Sequence, residues 1–328
     1  MMIIRKLFAL LKNRMFPKSL IERLRENPKD IVERKFGNVS SFNFSRRVFK
    51  DGRWNDVNVK ARGLFLDTRD GRIVARGYDK FFAYREGEFN SPEWLKDNLS
   101  FPVRCYRKYN GFLGILGFDE DGLLFCSKSM VGGKYSEYFK DIFRKQRFRE
   151  DLILGFMRKF NVGMVFEVID PENDPHIVGY DRKQIVLLDV VKLDEQFTNL
   201  DYETLKEVAY TFDFCVKKKV REFSGWNSLE DFIERYADSM DEQDGEGFVF
   251  EDSNLYHFKL KTKWYRFWKR MRGLAAKIAS GSSCAALQHT EDELQRRFVE
   301  WLEKKGPDYA GTNSIVMMRN DFESEDGI

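Results

Sequence analysis

The chain has 328 residues, of which 42% are apolar and 33% are charged, and its formal net charge is +3. This apolar content is enough for a folded core and excludes wholesale disorder. The near balance of charge excludes binding of nucleic acid through bulk charge, so any such contact must use a local basic patch. The length corresponds to about two domains of ordinary size.

The positions of the cysteines and histidines and the character of the first residues exclude further classes of protein. The 4 cysteines and 3 histidines lie far apart without a Cys-x-x-Cys pair, which argues against a zinc site or a disulfide scaffold. We therefore expect a reducing, intracellular compartment and a cytoplasmic location. The apolar run at the start of the chain superficially resembles a signal peptide, but lysines and arginines interrupt it. Residues 1–35 are therefore predicted to form a helix with a basic face instead. No stretch approaches the ~18 apolar residues of a membrane span.

Residues 42–125 are predicted to consist mostly of strands and turns. Asp-Gly pairs, which favour hairpin turns, stand at residues 51–52, 70–71 and 121–122. The third pair lies between two apolar runs, residues 111–118 and 123–128, and predicts a hairpin. This part of the chain is therefore expected to form β-sheet.

The next part alternates between helical and strand patterns. Helical spacing covers residues 136–160, 200–221 and 228–239. Ser228 is the expected N-cap of the last of these helices. In the first, the apolar side chains expected near one side are Phe139, Ile142, Phe143, Leu152, Phe156 and Phe160. Strands are predicted at residues 163–170 and 185–191, and a hairpin at residues 247–252 and 255–261.

The composition changes after residue 261. Residues 261–277 hold seven basic residues and no acidic one. A helix is predicted from about residue 291 to 305, where Thr290 and Glu293 form a capping box and Gly306 with Pro307 ends the helix. The apolar stripe of this helix comprises Leu294, Phe298, Trp301 and Leu302.

The whole pattern predicts an α+β protein in two parts. A large mixed domain is expected over residues 1–270, and a small helical appendage over residues 271–328. The acidic tail from Asp321 is expected to fray. The chain contains no internal repeat.

Residues 108–111 contain a motif that is weak by itself. They read Lys-Tyr-Asn-Gly, a lysine followed at the third position by glycine. Chance should produce such a match in a lysine-rich chain, and a second one stands at residues 60–63. Taken alone, Lys108 is interpreted as an exposed lysine at the end of a strand.

Two strand segments make this motif more informative. Lys259 and Lys261 share one face of a strand whose other face is apolar. Two such lysines repel each other unless an anion lies between them, and a triphosphate is one candidate for that anion. The alternative interpretation is that the two lysines lie on a solvated outer face of the sheet. Glu167 stands in the apolar run of residues 164–169, where a carboxylate is costly unless it is paired. Alternatively, Glu167 is explained by a structural salt bridge.

In this order and spacing, the segments resemble the motifs of the covalent nucleotidyltransferase superfamily of ligases and capping enzymes. Residues 108–111 resemble motif I, residues 165–169 motif III, residues 246–249 motif IV and residues 259–261 motif V. Further detail is similar to the phage RNA ligase 1 family and the ligase domains of fungal tRNA ligases, namely residues 61–65, 75–82 and 259–265. The resemblance covers residues 40–268.

This resemblance implies an enzyme, an ATP-dependent RNA ligase with a mixed antiparallel-sheet nucleotidyltransferase domain. Lys108 would take AMP from ATP and pass it to an RNA 5′-phosphate, which a 3′-hydroxyl would then attack. Glu167 would hold the ribose, and Glu246 would bind or orient the divalent cation, Mg or Mn. Lys259 and Lys261 would contact the α-phosphate. The remaining nucleotide-binding residues implied are Arg62, Lys80, Phe82, Gly111, Lys128, Gly247 and Tyr265.

The nucleophile of such an enzyme must be a neutral amine, whereas a lysine of pKa about 10.4 is protonated at pH 7. We expect Lys259, Lys261 and the cation to depress the pKa of Lys108. Lys60 is interpreted as having no catalytic role, because the neighbouring Arg62 matches a different position of the family.

The sequence departs from the family pattern at two points, and other functions have to be considered beside that of an RNA ligase. Asn110 stands where many relatives have an acidic residue, so a metal or proton role at that position is in doubt. The remainder after residue 261 is predicted to be helical, whereas DNA ligases and mRNA-capping enzymes append an OB-fold there, so these enzymes rank below an RNA ligase. A non-catalytic nucleic-acid-binding module that uses residues 257–277 is the other alternative. The same segment is equally compatible with a buried helix that has one basic face.

A partner enzyme is also expected. Residues 132–134, Gly-Gly-Lys, lack the upstream glycine of a phosphate-binding loop, so a 5′-kinase activity is not expected in this chain. RNA with 3′-hydroxyl and 5′-phosphate ends, tRNA included, is the expected substrate, and a separate kinase and phosphatase would prepare those ends. No membrane partner is expected.

Overall fold

The computed structural model describes residues 18–281 and 292–326, and it confirms the α+β class. The strands are β1 (Ile31–Phe36), β2 (Val39–Phe44), β3 (Leu64–Asp67), β4 (Ile73–Arg76), β5 (Phe82–Ala83), β6 (Val103–Lys108), β7 (Phe112–Phe118), β8 (Leu123–Ser127), β9 (Val162–Ile169), β10 (Gln184–Lys192), β11 (Cys215–Val216), β12 (Lys219–Phe223), β13 (Gly247–Glu251) and β14 (His257–Lys261). The helices are α1 (Leu20–Arg25), α2 (Arg46–Asp51), α3 (Pro92–Asn98), α4 (Lys134–Lys145), α5 (Glu150–Phe160), α6 (Tyr202–Phe212), α7 (Trp226–Ala237), α8 (Lys263–Ala279), α9 (Glu293–Lys305), α10 (Pro307–Thr312) and α11 (Ile315–Asp326). Within these two ranges, no helix combines the length and the apolar character that crossing a bilayer requires.

The strands of the described residues form three sheets. Sheet 1 has the order β1-β2-β3-β4, sheet 2 the order β11-β10-β9-β7-β8, and sheet 3 the order β12-β6-β13-β14-β5. Neighbours are antiparallel except for β10 with β11 and β14 with β5, which are parallel. Only residues 109–111 separate β6 from β7, yet these strands belong to different sheets. The link therefore joins sheets 2 and 3 immediately after Lys108, the last residue of β6.

Buried apolar side chains hold each layer together. Helices α4, α5 and α6 cover sheet 2 in a cluster that includes Phe143. Helices α3 and α7 cover sheet 3 in a cluster that includes Phe232. Helices α8 to α11 form a third cluster around Trp268, Phe298 and Phe322. Burial of apolar surface, at about 25 cal/mol per Å², is the main favourable contribution in each cluster.

Three hairpins predicted from the sequence are confirmed. Strands β3 and β4 pair across residues 70–71, and β7 and β8 pair across residues 121–122. Strands β13 and β14 form the third hairpin, in which Phe248 lies opposite Leu260. The strands at residues 163–170 and 185–191 are confirmed as β9 and β10.

Several local predictions on the N-terminal side are wrong. The helix predicted over residues 1–35 ends at Arg25 in the described part, and residues 31–36 form β1; residues 1–17 lie outside the described ranges. Gly52 does not turn a hairpin, because it ends helix α2 in the left-handed conformation. Leu152 and Phe160 are exposed, because the segment breaks into α4 and α5 and changes its face.

Other corrections fall later in the chain. Helix α6 ends at Phe212, and residues 215–216 and 219–223 are strands. Helix α7 starts from Gly225, so Ser228 lies inside the helix and its hydroxyl donates to the Gly225 carbonyl. The N-cap of α9 is Asp292, while Thr290 lies outside the described residues. The acidic tail is helical to residue 326, because the buried Phe322 packs it onto α9.

Candidate active site

The register of sheet 3 brings Lys108, Glu246 and Lys261 together. Strand β13 lies between β6 and β14, and Gly247 is opposite Lys108 on one side and Lys261 on the other. Glu246 immediately precedes Gly247, so its carboxylate lies between the two lysines. Lys259 is on the same face of β14 as Lys261, as strand alternation requires.

Glu246 makes an ion pair with each of these lysines. Its Oε2 is 3.0 Å from Lys108 Nζ, and its Oε1 is 3.0 Å from Lys261 Nζ. Burial raises the pKa of Glu246, but the charges and hydrogen bonds of Lys108 and Lys261 outweigh burial and lower the pKa to about 2. The carboxylate is therefore ionised at any physiological pH.

The expectation that Lys259 and Lys261 depress the pKa of Lys108 is wrong, while the expected effect of a divalent cation on that pKa stays a prediction. Burial does lower the pKa of Lys108, but the charges of Glu246 and Glu167 outweigh it, so the pKa lies above its usual value. Lys108 is consequently held as an ammonium ion on Glu246. It has to leave this partner and lose a proton before its amine can attack a phosphate.

Lys259, by contrast, has a pKa that is strongly lowered. Burial is the main cause, and the charges of Lys80, Arg62, Lys108 and Lys261 add to it, which brings the pKa of Lys259 to about 7. Its ammonium donates to the Phe81 carbonyl at 3.3 Å and pairs with no carboxylate among the described residues. An anion close to Lys259 would relieve this repulsion.

A cavity of about 190 Å³ opens in front of these side chains. Its charged lining consists of Arg62, Arg107, Lys108, Glu167, Lys217, Glu246, Lys259 and Lys261. Nη1 of Arg62 is buried without a hydrogen-bond partner. A buried guanidinium N–H without a partner is costly, so it is positioned to receive an acceptor from a ligand.

Glu167 is brought to the cavity by sheet 2. Strand β9 pairs with β7, and the Glu167 Oε1 atom accepts the backbone N–H of Gly111 at 2.8 Å. Burial raises the pKa of Glu167 despite the opposing charge of Lys108. Glu167 makes no ion pair within 4.0 Å among the described residues, which disfavours the structural salt bridge as its explanation.

Two glycines allow the strands to approach each other at this point. A Cβ at Gly111 would lie 2.1 Å from the Val168 carbonyl oxygen, and one at Gly247 would lie 2.2 Å from the Leu260 carbonyl oxygen. Gly247 also has a φ of +130°, which side chains rarely adopt. Both positions therefore require glycine to keep Glu167 and Glu246 at the cavity.

The other residues implied by the resemblance lie around this cavity rather than in it. Lys80 and Phe82 line a neighbouring cavity, where the Lys80 ammonium is 3.5 Å from the centre of the Phe82 ring. Burial lowers the pKa of Lys80 to about 8. Lys128 lies over Phe44, 5.5 Å from the centre of its ring. Tyr265 lies beside Lys261, whose ammonium is 4.6 Å from the centre of the Tyr265 ring.

Sequence reasoning missed a second charged group on the wall of the cavity. We call Tyr78, Asp189, Lys217, Glu251 and His257 the Asp189 network. Lys217 Nζ is 2.8 Å from Asp189 and 3.7 Å from Glu251, His257 Nε2 is 3.2 Å from Glu251, and the Tyr78 hydroxyl donates to Asp189. Asp189 interrupts an apolar strand, which is the signal that singled out Glu167, whereas Glu251 stands at the end of its strand and gives a weaker signal.

The arrangement is suited to chemistry on a phosphate ester. A lysine amine, an ionised carboxylate and several partly uncompensated cations lie around one small cavity. Cations that are fixed and desolvated stabilise charge developing on phosphate oxygens more than water does. The fold is similar to that of nucleotidyltransferase-like ligases of known structure.

A family model described as RNA ligase matches residues 60–265, and the chain therefore belongs to this RNA ligase family and is an enzyme of it. A tRNA ligase from Candida albicans is 21% identical over 338 aligned positions, which cover 86% of this chain. The chain spans only 39% of the length of that relative.

Solved structures agree with the fold. An archaeal ATP-dependent RNA ligase has a TM-score of 0.53 and 12% identity, covering 94% of this chain and 80% of its own. A proposed ATP-dependent DNA ligase from Aquifex aeolicus has a TM-score of 0.54 and 15% identity, covering 93% and 80%. At these identities, both similarities establish the fold alone.

Proposed function

We propose that this protein seals RNA ends by ATP-dependent adenylylation of Lys108. The observation that carries this proposal is the position of Lys108, on Glu246 and in front of a cavity with surplus positive charge. The family to which the chain belongs supports the same reaction. The archaeal RNA ligase of similar fold is ATP-dependent by its description, and we extend that dependence to this chain.

The proposed reaction has three steps. The Lys108 amine attacks the α-phosphorus of ATP, a P–N bond forms, and pyrophosphate leaves as the P–O bond breaks. An RNA 5′-phosphate oxygen then attacks the same phosphorus, which frees Lys108 and gives adenylylated RNA. Finally, a 3′-hydroxyl attacks the RNA phosphate, and AMP leaves as the phosphodiester bond forms.

The proposed roles follow the positions of the side chains. Lys259 and Lys261 would contact the α-phosphate, and the unpartnered N–H of Arg62 would donate to the phosphate chain. Glu167 would hold the ribose. Lys80, Phe82, Lys128 and Tyr265 would complete the nucleotide pocket from its edge, with Gly111 and Gly247 as the close-approach positions.

A divalent cation, Mg or Mn, would be shared with the substrate. Among the described residues, no group of three or more His, Cys, Asp and Glu side chains is placed to hold a metal ion. Magnesium is commonly held by one or two carboxylates together with substrate phosphates, and Glu246 is the carboxylate that fits this arrangement. When bound, the cation would neutralise charge on phosphate oxygens.

The direct test is incubation with α-labelled ATP or GTP, followed by denaturing electrophoresis. We expect a labelled chain with ATP and none with Lys108→Ala. Lys60→Ala is the matched control and should retain the label, because Lys60 contacts Asp79 and the Glu195 carbonyl outside the cavity. Labelling that survives Lys108→Ala, or that is stronger with GTP, would overturn the proposal.

The proposed substrate is RNA with a 3′-hydroxyl and a 5′-phosphate, and tRNA in particular. The name of the Candida relative and the family support this choice. Matched strands that differ only in the terminal 3′ sugar test it: loss of one 2′-hydroxyl contact should slow sealing of a deoxyribose end about tenfold or more. Equal rates with both sugars would favour a DNA ligase instead.

The cellular setting remains part of the proposal. A separate kinase and phosphatase would prepare the RNA ends, and the location would be cytoplasmic.

We also propose residues 1–270 as the nucleotidyltransferase unit and residues 271–328 as the helical C-terminal unit. Basic side chains that follow Lys261 on α8, including Arg266 and Arg272, would add a salt-dependent contribution to RNA binding.

A further inference from the structure

Arg319 connects the C-terminal helices to a loop beside the active site. It lies on α11, its side chain is 2% exposed, and its guanidinium is 4.9 Å from the centre of the Trp264 ring. Nη1 donates to the Ile177 carbonyl at 2.9 Å, and Nη2 pairs with Glu242 at 2.5 Å. The Ile177 side chain is itself buried in the cluster of helices α8 to α11. The loop at residues 177–178 is therefore anchored to the C-terminal helices.

The same loop fixes the orientation of Asn110. The backbone N–H groups of Ile177 and Val178 donate to Asn110 Oδ1 at 2.9 and 3.0 Å. Because two donors require the amide oxygen on that side, the amide nitrogen has to face the opposite side. There, Asn110 Nδ2 donates to Glu246 Oε2 at 2.9 Å. This Oε2 atom is also the partner of the Lys108 ammonium.

The contact explains why an asparagine stands at residue 110. An aspartate would place a second carboxylate against Glu246 and would offer no donor to it. It would therefore repel Glu246, whereas the asparagine amide binds the loop with one end and Glu246 with the other.

We propose that Arg319 is a positioning residue for the adenylylation of Lys108, acting through the 177–178 loop and Asn110 on Glu246. Arg319 touches neither the cavity nor its charged lining, so any effect on Lys108 has to pass through its neighbours. Of its contacts, the hydrogen bond to the Ile177 carbonyl is the one that leads to Asn110. When the loop shifts, Asn110 can turn away, and Glu246 and Lys108 lose their fixed positions. An error of about 1 Å in the position of a reacting group can cost about 100-fold in rate. The inference rests on the proposed function.

The test measures single-turnover formation of the labelled chain at saturating ATP, together with the ATP concentration at half-maximal rate. Arg319→Leu should lower the maximal rate by about tenfold or more and leave the half-maximal concentration within about twofold, because Arg319 does not line the cavity. Arg319→Lys, which retains one donor toward Ile177, should recover a large part of the rate.

Two controls separate positioning from general stability. Glu242→Ala removes the ion pair of Arg319 but leaves the bond to Ile177, and Lys305→Ala removes a contact within the C-terminal helices, from Lys305 to Glu325 at 2.7 Å. Both should keep the wild-type rate. A rate loss in either control equal to that of Arg319→Leu would show that only attachment of the helices matters and would overturn the inference.

A double-mutant cycle gives the sharpest readout. Asn110→Ala combined with Arg319→Leu should be no slower than Asn110→Ala alone, because both act at the same point. Additive losses, or a wild-type rate for Arg319→Leu, would overturn the relay while ATP labelling of the wild type still upholds the proposed function. If the wild type itself takes no label, the proposed function fails first, and the inference fails with it.

Discussion

Two groups of buried charges lie at one cavity and differ in the balance of positive and negative charge, and the second group reaches the cavity through Lys217. The Glu246 cluster, defined as Arg62, Lys108, Glu167, Glu246, Lys259 and Lys261, sets four cations against two carboxylates. In the Asp189 network, the carboxylates of Asp189 and Glu251 face the Lys217 ammonium, and Arg104 approaches Glu251 to 3.2 Å. The first group leaves Lys259 and an N–H of Arg62 without an anionic partner, whereas the second pairs its charges internally.

The difference separates a binding site from a structural one. Buried charges cost free energy unless they are paired, so a protein that keeps surplus positive charge at a cavity is arranged for an anion that arrives later. A balanced network needs no ligand, and its loss should appear in stability rather than in catalysis. The following predictions test this distinction, beginning with the largest expected effect.

Glu246→Ala should reduce adenylylation of Lys108 by roughly 10³-fold, because Lys108 and Lys261 lose the carboxylate that positions them. The measurement is single-turnover labelling with α-labelled ATP on protein whose fold is checked by circular dichroism. A loss smaller than about tenfold in a folded variant would mean that the Glu246 cluster is structural as well.

Glu251→Ala should instead lower the free energy of unfolding by about 3–5 kcal/mol, because it leaves Lys217 buried with a weaker partner set. Urea denaturation measures this change, and labelling per folded molecule should stay within about twofold of the wild type. Glu222→Ala is the matched control: this exposed carboxylate, 3.8 Å from Arg104, should contribute less than about 1 kcal/mol. An active-site defect without loss of stability would reverse the assignment of the two groups.

Replacing Lys259 or Lys261 by alanine should slow adenylylation by about 100-fold and leave the fold intact. The packing of β14 comes from Phe258 and Leu260, which are buried on the other face. The measurement is the labelling rate of each single variant and of the double variant, with thermal unfolding as a check. Normal sealing of RNA by the double variant would show that these lysines form a solvated face.

Lys259 should also give the stability of the protein a pH dependence. Its pKa is about 7 in the folded protein against an ordinary value of 10.5, so between these pH values the unfolded chain binds one proton more than the folded protein does. Stability therefore rises with pH from about 7 to 10 because of this group, and its unfavourable contribution is complete below pH 7.

Lys259→Met removes this contribution and isolates it. The variant should be more stable than the wild type at pH 7, and the difference should shrink toward pH 10. Urea midpoints of both proteins across this range provide the measurement. A difference that stays constant with pH would show that Lys259 is charged in the folded state throughout the range.

The sequence by itself determined the features that depend on local periodicity. Strand alternation places Lys259 and Lys261 on one face and Phe258 and Leu260 on the other, and the Asp-Gly turns at residues 70–71 and 121–122 follow from their own backbone preferences. Glu167 could be singled out because a lone carboxylate in an apolar strand requires an explanation. The order of these segments was enough to predict the family that the chain belongs to.

Only the tertiary structure decided which charges meet. The ion pair between Lys108 and Glu246 follows from the register of β6 and β13, strands that lie far apart in the sequence, and it raises the pKa of Lys108 rather than lowering it. The role of Asn110 depends in the same way on the loop at residues 177–178. Local patterns fix the face on which a side chain lies, but the partner across a sheet depends on register and packing over the whole chain.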